Sequence, residues 1–442
     1  MPIPRKQDAY PAEARCLSRG NSPTSVQKRA IRINNRVLIV GEFGSINGGE
    51  NSLLAIAPRL MELGWQLSAA VPGESEFAAA LESAGIEVQP WSVRNADNSR
   101  KSAEQISSQL CQAIANANPA ILHFNSLSTS RIGGPIAREL NIPSLGYIRD
   151  IMKLSKKAIS DLNKIDRIVA VSNATRQWHI DQGIEPARIV TVYNGVDTEL
   201  FRPLTPSQPQ PPINPIDIRN ELSIPPQVPV LVFVGQIGMR KGVDILIESF
   251  FQVAGKTGAH LLVIGERHSQ KDEAIQHHQN LITAVDSSAY RQRVHWLGRR
   301  TDVAEIMPQA TMLIHPARQE PLGRVLLESA ASGLPIVTTN VGGSAEILDD
   351  NEEVNGINLK SLLIEIPALP ENETVDPAGR KNELNRLLSI GLSERILELL
   401  QTPNKLAQVS QQLRFRAVNA FSIESCASQI DSHYKCLAAT RQ

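Results

Sequence analysis

Cysteine is scarce in this sequence: Cys16, Cys111, Cys426 and Cys436 are the whole set, and none stands in C-x-x-C spacing. That excludes a disulfide framework and points to free thiols in a reducing cytosol. Net charge is absent as well, because 45 basic residues balance 45 acidic ones. A neutral chain lacks the basic excess of nucleic-acid-binding proteins, so no nucleic-acid partner is expected. No apolar run approaches the roughly 18 residues that a membrane-spanning helix needs. The start of the chain has basic residues but no apolar h-region, so it does not read as a signal peptide. Its proline, serine and arginine content predicts a poorly ordered basic tail over residues 1–35. A phosphate-binding G-x-x-x-x-G-K-[ST] loop and an Asp-x-Asp triplet are also missing.

What is there is enough for two cores. The length of 442 residues is about three times that of a usual domain, and 42% of them are apolar. From Arg36 onward, short apolar runs alternate with helical patterns. Val37 to Val40, Gln66 to Val71, Ala120 to Phe124, Ser144 to Ile148, Arg167 to Val171 and Ile189 to Val192 read as strands. Apolar strands alternating with helices imply a parallel sheet covered on both faces, an α/β class. Nine prolines then fall between Pro203 and Pro229, more than a helix or a central strand tolerates. The pattern resumes at Val230 to Val234, Leu261 to Ile264, Val294 to Leu297, Met312 to Ile314 and Pro335 to Thr338. The expected organisation is a first Rossmann-like domain over 36–202, a proline-rich linker over 203–229 and a second such domain over 230–402. Helices over 403–442 would end the chain and could cross back to the first domain. Ligands bind beyond the carboxyl ends of parallel strands, so two such sheets would share a cleft.

Three clusters carry chemistry. Gly41-Glu42-Phe43-Gly44-Ser45-Ile46-Asn47-Gly48-Gly49 joins the first strand to the first helix, where amides at a helix start can meet an anion; a plain glycine-rich turn would look the same. Gly235-Gln236-Ile237-Gly238-Met239-Arg240-Lys241-Gly242 places two cations at a helix start. The helix dipole disfavours them there, and a bound diphosphate explains them better than helix stability does; solvated surface charge is the other reading. Glu320-Pro321-Leu322-Gly323-Arg324-Val325-Leu326-Leu327-Glu328 sets one carboxylate in a loop and another in an apolar helix. A carboxylate there needs hydrogen-bond donors. Sugar and ribose hydroxyls supply them in one reading; protein donors at the helix edge do so in the other. Spacing and chemistry suit a nucleotide sugar, with Glu320 toward the hexose, the amides of Leu322 and Gly323 toward the diphosphate and Glu328 toward the ribose.

Over Val37 to Gly356 the chain resembles the family 4 retaining glycosyltransferases of GT-B fold. The resemblance rests on the E-x7-E segment at Glu320 to Glu328, Ser332-Gly333-Leu334-Pro335, Val341-Gly342-Gly343-Ser344-Ala345-Glu346 and Lys241-Gly242-Val243-Asp244. Gly48-Gly49, Ala170-Val171-Ser172 and Tyr193-Asn194-Gly195-Val196-Asp197 match in the first half. It implies two Rossmann-like domains facing across a cleft, and transfer of a sugar from a nucleoside diphosphate sugar with retention. The acceptor would be a glycan, a lipid-linked molecule or a small molecule. No metal cofactor is implied: Lys241 and helix amides would neutralise the leaving group. The implied catalytic residues are Glu320, Lys241 and Arg149. Gly48, Gly49, Gln236, Arg240, Leu322, Gly323, Arg324 and Glu328 would bind the donor.

Two positions depart from the family pattern. Gln236 stands where an arginine is usual, which shifts leaving-group stabilisation to Lys241 with help from Arg240. Arg149 stands where a histidine is common, and would meet an anionic donor or acceptor or pair with Asp150. Such departures also fit a non-catalytic donor-binding subunit; a GT-B nucleotide-sugar epimerase is the other alternative. His268, Glu273, His277 and His278 read as surface residues rather than a metal site, and His315 as a structural or a ligand-facing residue. Lys153, Lys156, Lys157 and Lys164 read as a solvated helix face or as a contact with an anionic membrane. A cytoplasmic protein, with peripheral membrane contact left open, is the expectation. Residues 349–385 read as an irregular insertion.

Overall fold

The computed structural model describes residues 34–204, 216–348, 358–367 and 377–440, with side chains in the last segment from residue 382. The tail up to residue 33, the middle of the proline-rich linker and residues 349–357 and 368–376 of the 349–385 insertion lie outside the described residues.

Seven parallel strands form the first sheet: β1 (Arg36–Val40), β2 (Gln66–Val71), β3 (Glu87–Pro90), β4 (Ile121–Phe124), β5 (Ser144–Ile148), β6 (Arg167–Ala170) and β7 (Ile189–Thr191), in the order β3-β2-β1-β4-β5-β6-β7. Six more form the second: β8 (Val230–Val234), β9 (His260–Ile264), β10 (Val294–Gly298), β11 (Met312–His315), β12 (Ile336–Thr339) and β13 (Leu363–Ile364), in the order β10-β9-β8-β11-β12-β13. In each sheet the first strand is central and the chain winds outward on both sides, the Rossmann order, so a switch point lies between β1 and β4 and another between β8 and β11. The expected strands are all present within a residue or two of their limits. Two went unread. β3 is a polar edge strand ending in Pro90, and β13 is two residues long; neither has an apolar run to reveal it.

The strands are apolar throughout because both faces are covered. Val37 and Ile39 of β1 pack into one buried cluster, and Leu38 and Val40 point into another on the opposite face. Each such side chain contributes about 1.5–3 kcal/mol when removed from water. The last helix, Ile423–Ala439, leaves the second half and packs on the first helix, Gly48–Glu62. Two hydrogen bonds guide it there: Val196 N–H to Phe421 O at 2.8 Å and Ile423 N–H to Val196 O at 3.3 Å. Buried Trp65 then donates its indole N–H to Asp431 at 2.8 Å, and Tyr434 hydrogen-bonds His123 Nδ1 on β4.

The halves also meet directly. The Glu346 carboxylate accepts the amides of Asn173 and Ala174, each at 2.8 Å, and the Tyr193 hydroxyl at 2.8 Å. These are the free amides at the start of helix Asn173–Asp181, so a carboxylate of one half caps a helix of the other. Ser172 Oγ donates to Pro321 O at 2.5 Å. A methyl group on Gly343 would fall 2.3 Å from Pro321 O and 2.8 Å from the Ser172 Cβ, so only glycine fits this seam.

Candidate active site

The sequence-predicted residues lie at the carboxyl ends of the two sheets. The loop after β8 carries Gln236, Arg240 and Lys241, and turns into helix Val243–Thr257 through Gly242. That glycine has φ +68°, and a Cβ on it would meet Pro316 O at 1.9 Å. The loop after β11 carries Glu320 and Leu322, and enters helix Arg324–Ala331 through Gly323 at φ +98°. Each loop therefore holds a glycine where a side chain would strain the backbone.

Close packing of these loops brings Lys241 and Glu320 together, with Nζ to Oε2 at 2.5 Å. His315, at the end of β11 and fully buried, reaches the same oxygen from Nε2 at 2.9 Å, while its Nδ1 has no partner. Burial pushes the Glu320 carboxyl up, but the His315 hydrogen bond and the Lys241 charge outweigh it and hold the group well below the usual range. Burial, then the Lys241 charge, pushes the His315 imidazole down. The group at neutral pH is thus an ammonium and a carboxylate with a neutral imidazole whose Nε2–H donates.

Arg240 and Gln236 are exposed and line a cleft of about 200 Å³ with Lys241, Ser269 and Glu273. Arg240 donates to Gln319 O at 3.2 Å. Asp244, next in the Lys-Gly-Val-Asp run, is gripped by Arg318 through two bonds of 2.9 and 2.7 Å, which fixes the Lys241 loop to the Glu320 loop. Leu322 is buried in the core. Arg324 bridges the halves: it pairs with Glu328 at 3.0 Å and donates to Ser52 Oγ at 3.1 Å on the first helix. Glu328 therefore has the protein donor that the bland reading of it required, one turn away.

From the first half, Gly48 and Gly49 open helix Gly48–Glu62. Arg149 follows β5 and lies with its guanidinium 4.1 Å above the Tyr147 ring. It donates to Asn194 Oδ1 at 2.8 Å and Asn125 Oδ1 at 3.1 Å, not to Asp150, whose side chain points to solvent. Burial lowers the guanidinium pKa, and Tyr147, Cys426 and Glu50 act against that shift. Asn125 and Arg318 escaped the sequence reading, and Asn194 entered it only within a matched segment; asparagines just past strand ends were the available signal for Asn125 and Asn194. His268, Glu273, His277 and His278 form no metal cluster, and no other group of three ligating side chains does so among the described residues. Of the basic stretch, Lys157 and Lys164 both approach Asp161, at 3.2 and 3.7 Å, while Lys153 and Lys156 are exposed. No helix among the described residues is long and apolar enough to cross a membrane.

Two Rossmann-like sheets with their functional loops turned to one seam define a GT-B protein. Residues 46–200 match the Glycosyltransferase Family 4 model and residues 228–368 the Glycosyl transferases group 1 model, so the chain belongs to this glycosyltransferase family. It is 36% identical to the Escherichia coli lipopolysaccharide glucosyltransferase WaaG over 134 residues, 30% of this chain and 33% of that protein. It is 28% identical to a Catenulispora acidiphila D-inositol 3-phosphate glycosyltransferase over 250 residues, 50% of this chain and 56% of the relative. The chain thus spans between a third and somewhat over half the length of these curated relatives. In fold it is similar to Anabaena HepE in complex with UDP-glucose, at a TM-score of 0.71 and 19% identity, covering 91% of this chain and 99% of that one. A sucrose-phosphate synthase from Thermosynechococcus elongatus aligns at 0.70 and 16% identity, covering 92% and 100%.

Proposed function

We propose that the protein is a retaining, metal-independent glycosyltransferase that uses a nucleoside diphosphate sugar. The observation that carries this reading is the Lys241–Glu320 pair at the carboxyl ends of β8 and β11, close in sequence to Arg324, which reaches Ser52 on the glycine-opened helix of the other half. The bond between the anomeric carbon and the diphosphate oxygen breaks, and its electron pair stays with the diphosphate. The acceptor hydroxyl attacks from the same face and passes its proton to a phosphate oxygen. Lys241 and the amides before helix Arg324–Ala331 stabilise the leaving charge. Glu320 orients the hexose, and Glu328 takes the ribose hydroxyls. The UDP-glucose held by the Anabaena neighbour supports a nucleotide-sugar donor. The acceptor is a glycan, a lipid-linked molecule or a small molecule, and exposed Lys153 and Lys156 with Met152 suit contact with an anionic membrane on the cytoplasmic side.

A panel of nucleotide sugars tests this, read by thermal shift and slow donor hydrolysis in excess chelator. Stabilisation and hydrolysis with one donor are expected; stabilisation by no nucleotide would refute the reading. The uncharged Gln236 favours one second reading, a donor-binding subunit, which would show stabilisation without hydrolysis or transfer. Flotation with neutral and anionic vesicles tests the membrane contact.

A further inference from the structure

Three cations converge where the two sheets meet, and they are unequally neutralised. Lys241 faces Glu320 at 2.5 Å and Arg324 faces Glu328 at 3.0 Å. Arg149 forms no ion pair among the described residues. Its guanidinium is held by Asn125 and Asn194 oxygens and the Tyr147 ring, all neutral. Glu50, the carboxylate whose field reaches it, accepts the Asn47 amide of its own helix at 3.1 Å. These contacts use about three of the five guanidinium N–H groups and leave about two. A guanidinium taken from water without an anion is costly, so an oxyanion partner is the natural completion of its shell.

Its place says which oxyanion. A methyl group on Gly49 would fall 3.3 Å from Arg149 Cδ and 3.4 Å from Nε, and one on Gly48 would fall 3.7 Å from Arg324 Cδ. Both arginines therefore lie against the opening turn of a 15-residue helix, the end that favours negative charge. Two residues past Arg149, Ile151 O accepts Gln319 Nε2 at 2.7 Å, next to Glu320. The segment after Arg149 thus touches the segment that carries Glu320 across the seam between the halves. On the Lys241 side the charge of Lys241 is taken up by Glu320, Gln236 is neutral, and exposed Arg240 donates to Gln319 O at 3.2 Å.

We infer that Arg149 binds the diphosphate of the donor, so that the first domain adds leaving-group charge to that of the Lys241 loop. This rests on the nucleotide-sugar reading above. As the anomeric carbon–oxygen bond breaks and the electron pair passes to the diphosphate, the free N–H groups of Arg149 donate to its oxygens. Asn125 and Asn194 hold the guanidinium flat on Tyr147 for that purpose, and glycine at position 49 leaves it room.

The full-length protein tests this by calorimetry with UDP, GDP, ADP and dTDP against their nucleosides. Arg149→Gln is expected to reduce the preference for the favoured diphosphate over its nucleoside by about 10- to 100-fold while leaving nucleoside affinity unchanged. Adding Gln236→Arg should restore part of that preference, which a purely structural role of Arg149 would not allow. Asn125→Asp neutralises the guanidinium in place without removing it, and should weaken diphosphate binding in a folded protein even if Arg149→Gln fails to fold. A preference that survives both changes would overturn the inference, as would a defect confined to phosphorylated or carboxylated acceptors. A wild-type protein with no diphosphate preference would instead remove the nucleotide-sugar reading itself.

Discussion

Lys241 Nζ lies 2.5 Å from Glu320 Oε2, although the two residues stand 79 positions apart and come from different loops. One ion pair therefore locks the loop after β8 to the loop after β11, and the Arg318–Asp244 pair repeats the lock close by. Any ligand bound by either loop is felt by both.

Breaking this pair from one side leaves a charge in a site that is almost closed to water. Glu320→Gln or Lys241→Met alone should cost about 3–5 kcal/mol of stability, and the double variant less than the sum. Urea unfolding of all four proteins measures it. Additive losses would mean that the pair is not coupled.

Glu346 should act as an inter-domain clasp. Glu346→Ala strips two helix-capping bonds and the Tyr193 contact, a loss of about 2–3 kcal/mol with a lower Tm. Calorimetry should show the two halves beginning to unfold separately; a single unchanged transition would contradict the clasp.

Glu328 distinguishes a ribose contact from a helix ion pair. Its bond to Arg324 is one turn long and worth less than about 1 kcal/mol. Glu328→Ala should therefore leave Tm nearly unchanged and raise the donor KM about tenfold or more if the carboxylate takes the ribose. An unchanged KM would mean that Glu328 takes no part in donor binding.

Acid should destabilise the fold through its histidines. Burial, with the Arg149 charge, pushes His123 down to about 3. Burial and neighbouring cations push His260 and His433 each down to about 4. Unfolded imidazoles take up protons near pH 6.5, whereas these do so only lower, so protonation favours the unfolded chain. Stability should be full above about pH 6.5 and fall steadily toward pH 4. Urea midpoints at pH 7, 5.5 and 4.5 check it, and His260→Gln should flatten the slope.

Tyr434 closes the last helix onto the first sheet. Tyr434→Phe leaves buried His123 Nδ1 without its partner and should cost about 1–3 kcal/mol. Loss of the Trp65–Asp431 bond by Asp431→Ala should have a similar cost, read by denaturant midpoints.

The strand framework was legible because a parallel strand covered on both faces is apolar along its whole length, as in Val37 to Val40 or Val230 to Val234. β3 and β13 were not, being a polar edge and a two-residue bridge. Glu320 and Lys241 were legible as a loop carboxylate and a misplaced helix-start cation. Their contact was not, because nothing local links residues so far apart.

By itself, the amino-acid order determined the two α/β halves, the glycine turns at strand ends and the helix-start cations, because these follow from periodicity and backbone freedom within a few residues. Only tertiary packing decided which charges meet. It set Lys241 on Glu320 and Arg324 on Glu328, and turned Arg149 from Asp150 toward two asparagines. Charge neutralisation depends on distances across the seam between the halves, and those are created only when the sheets close on each other.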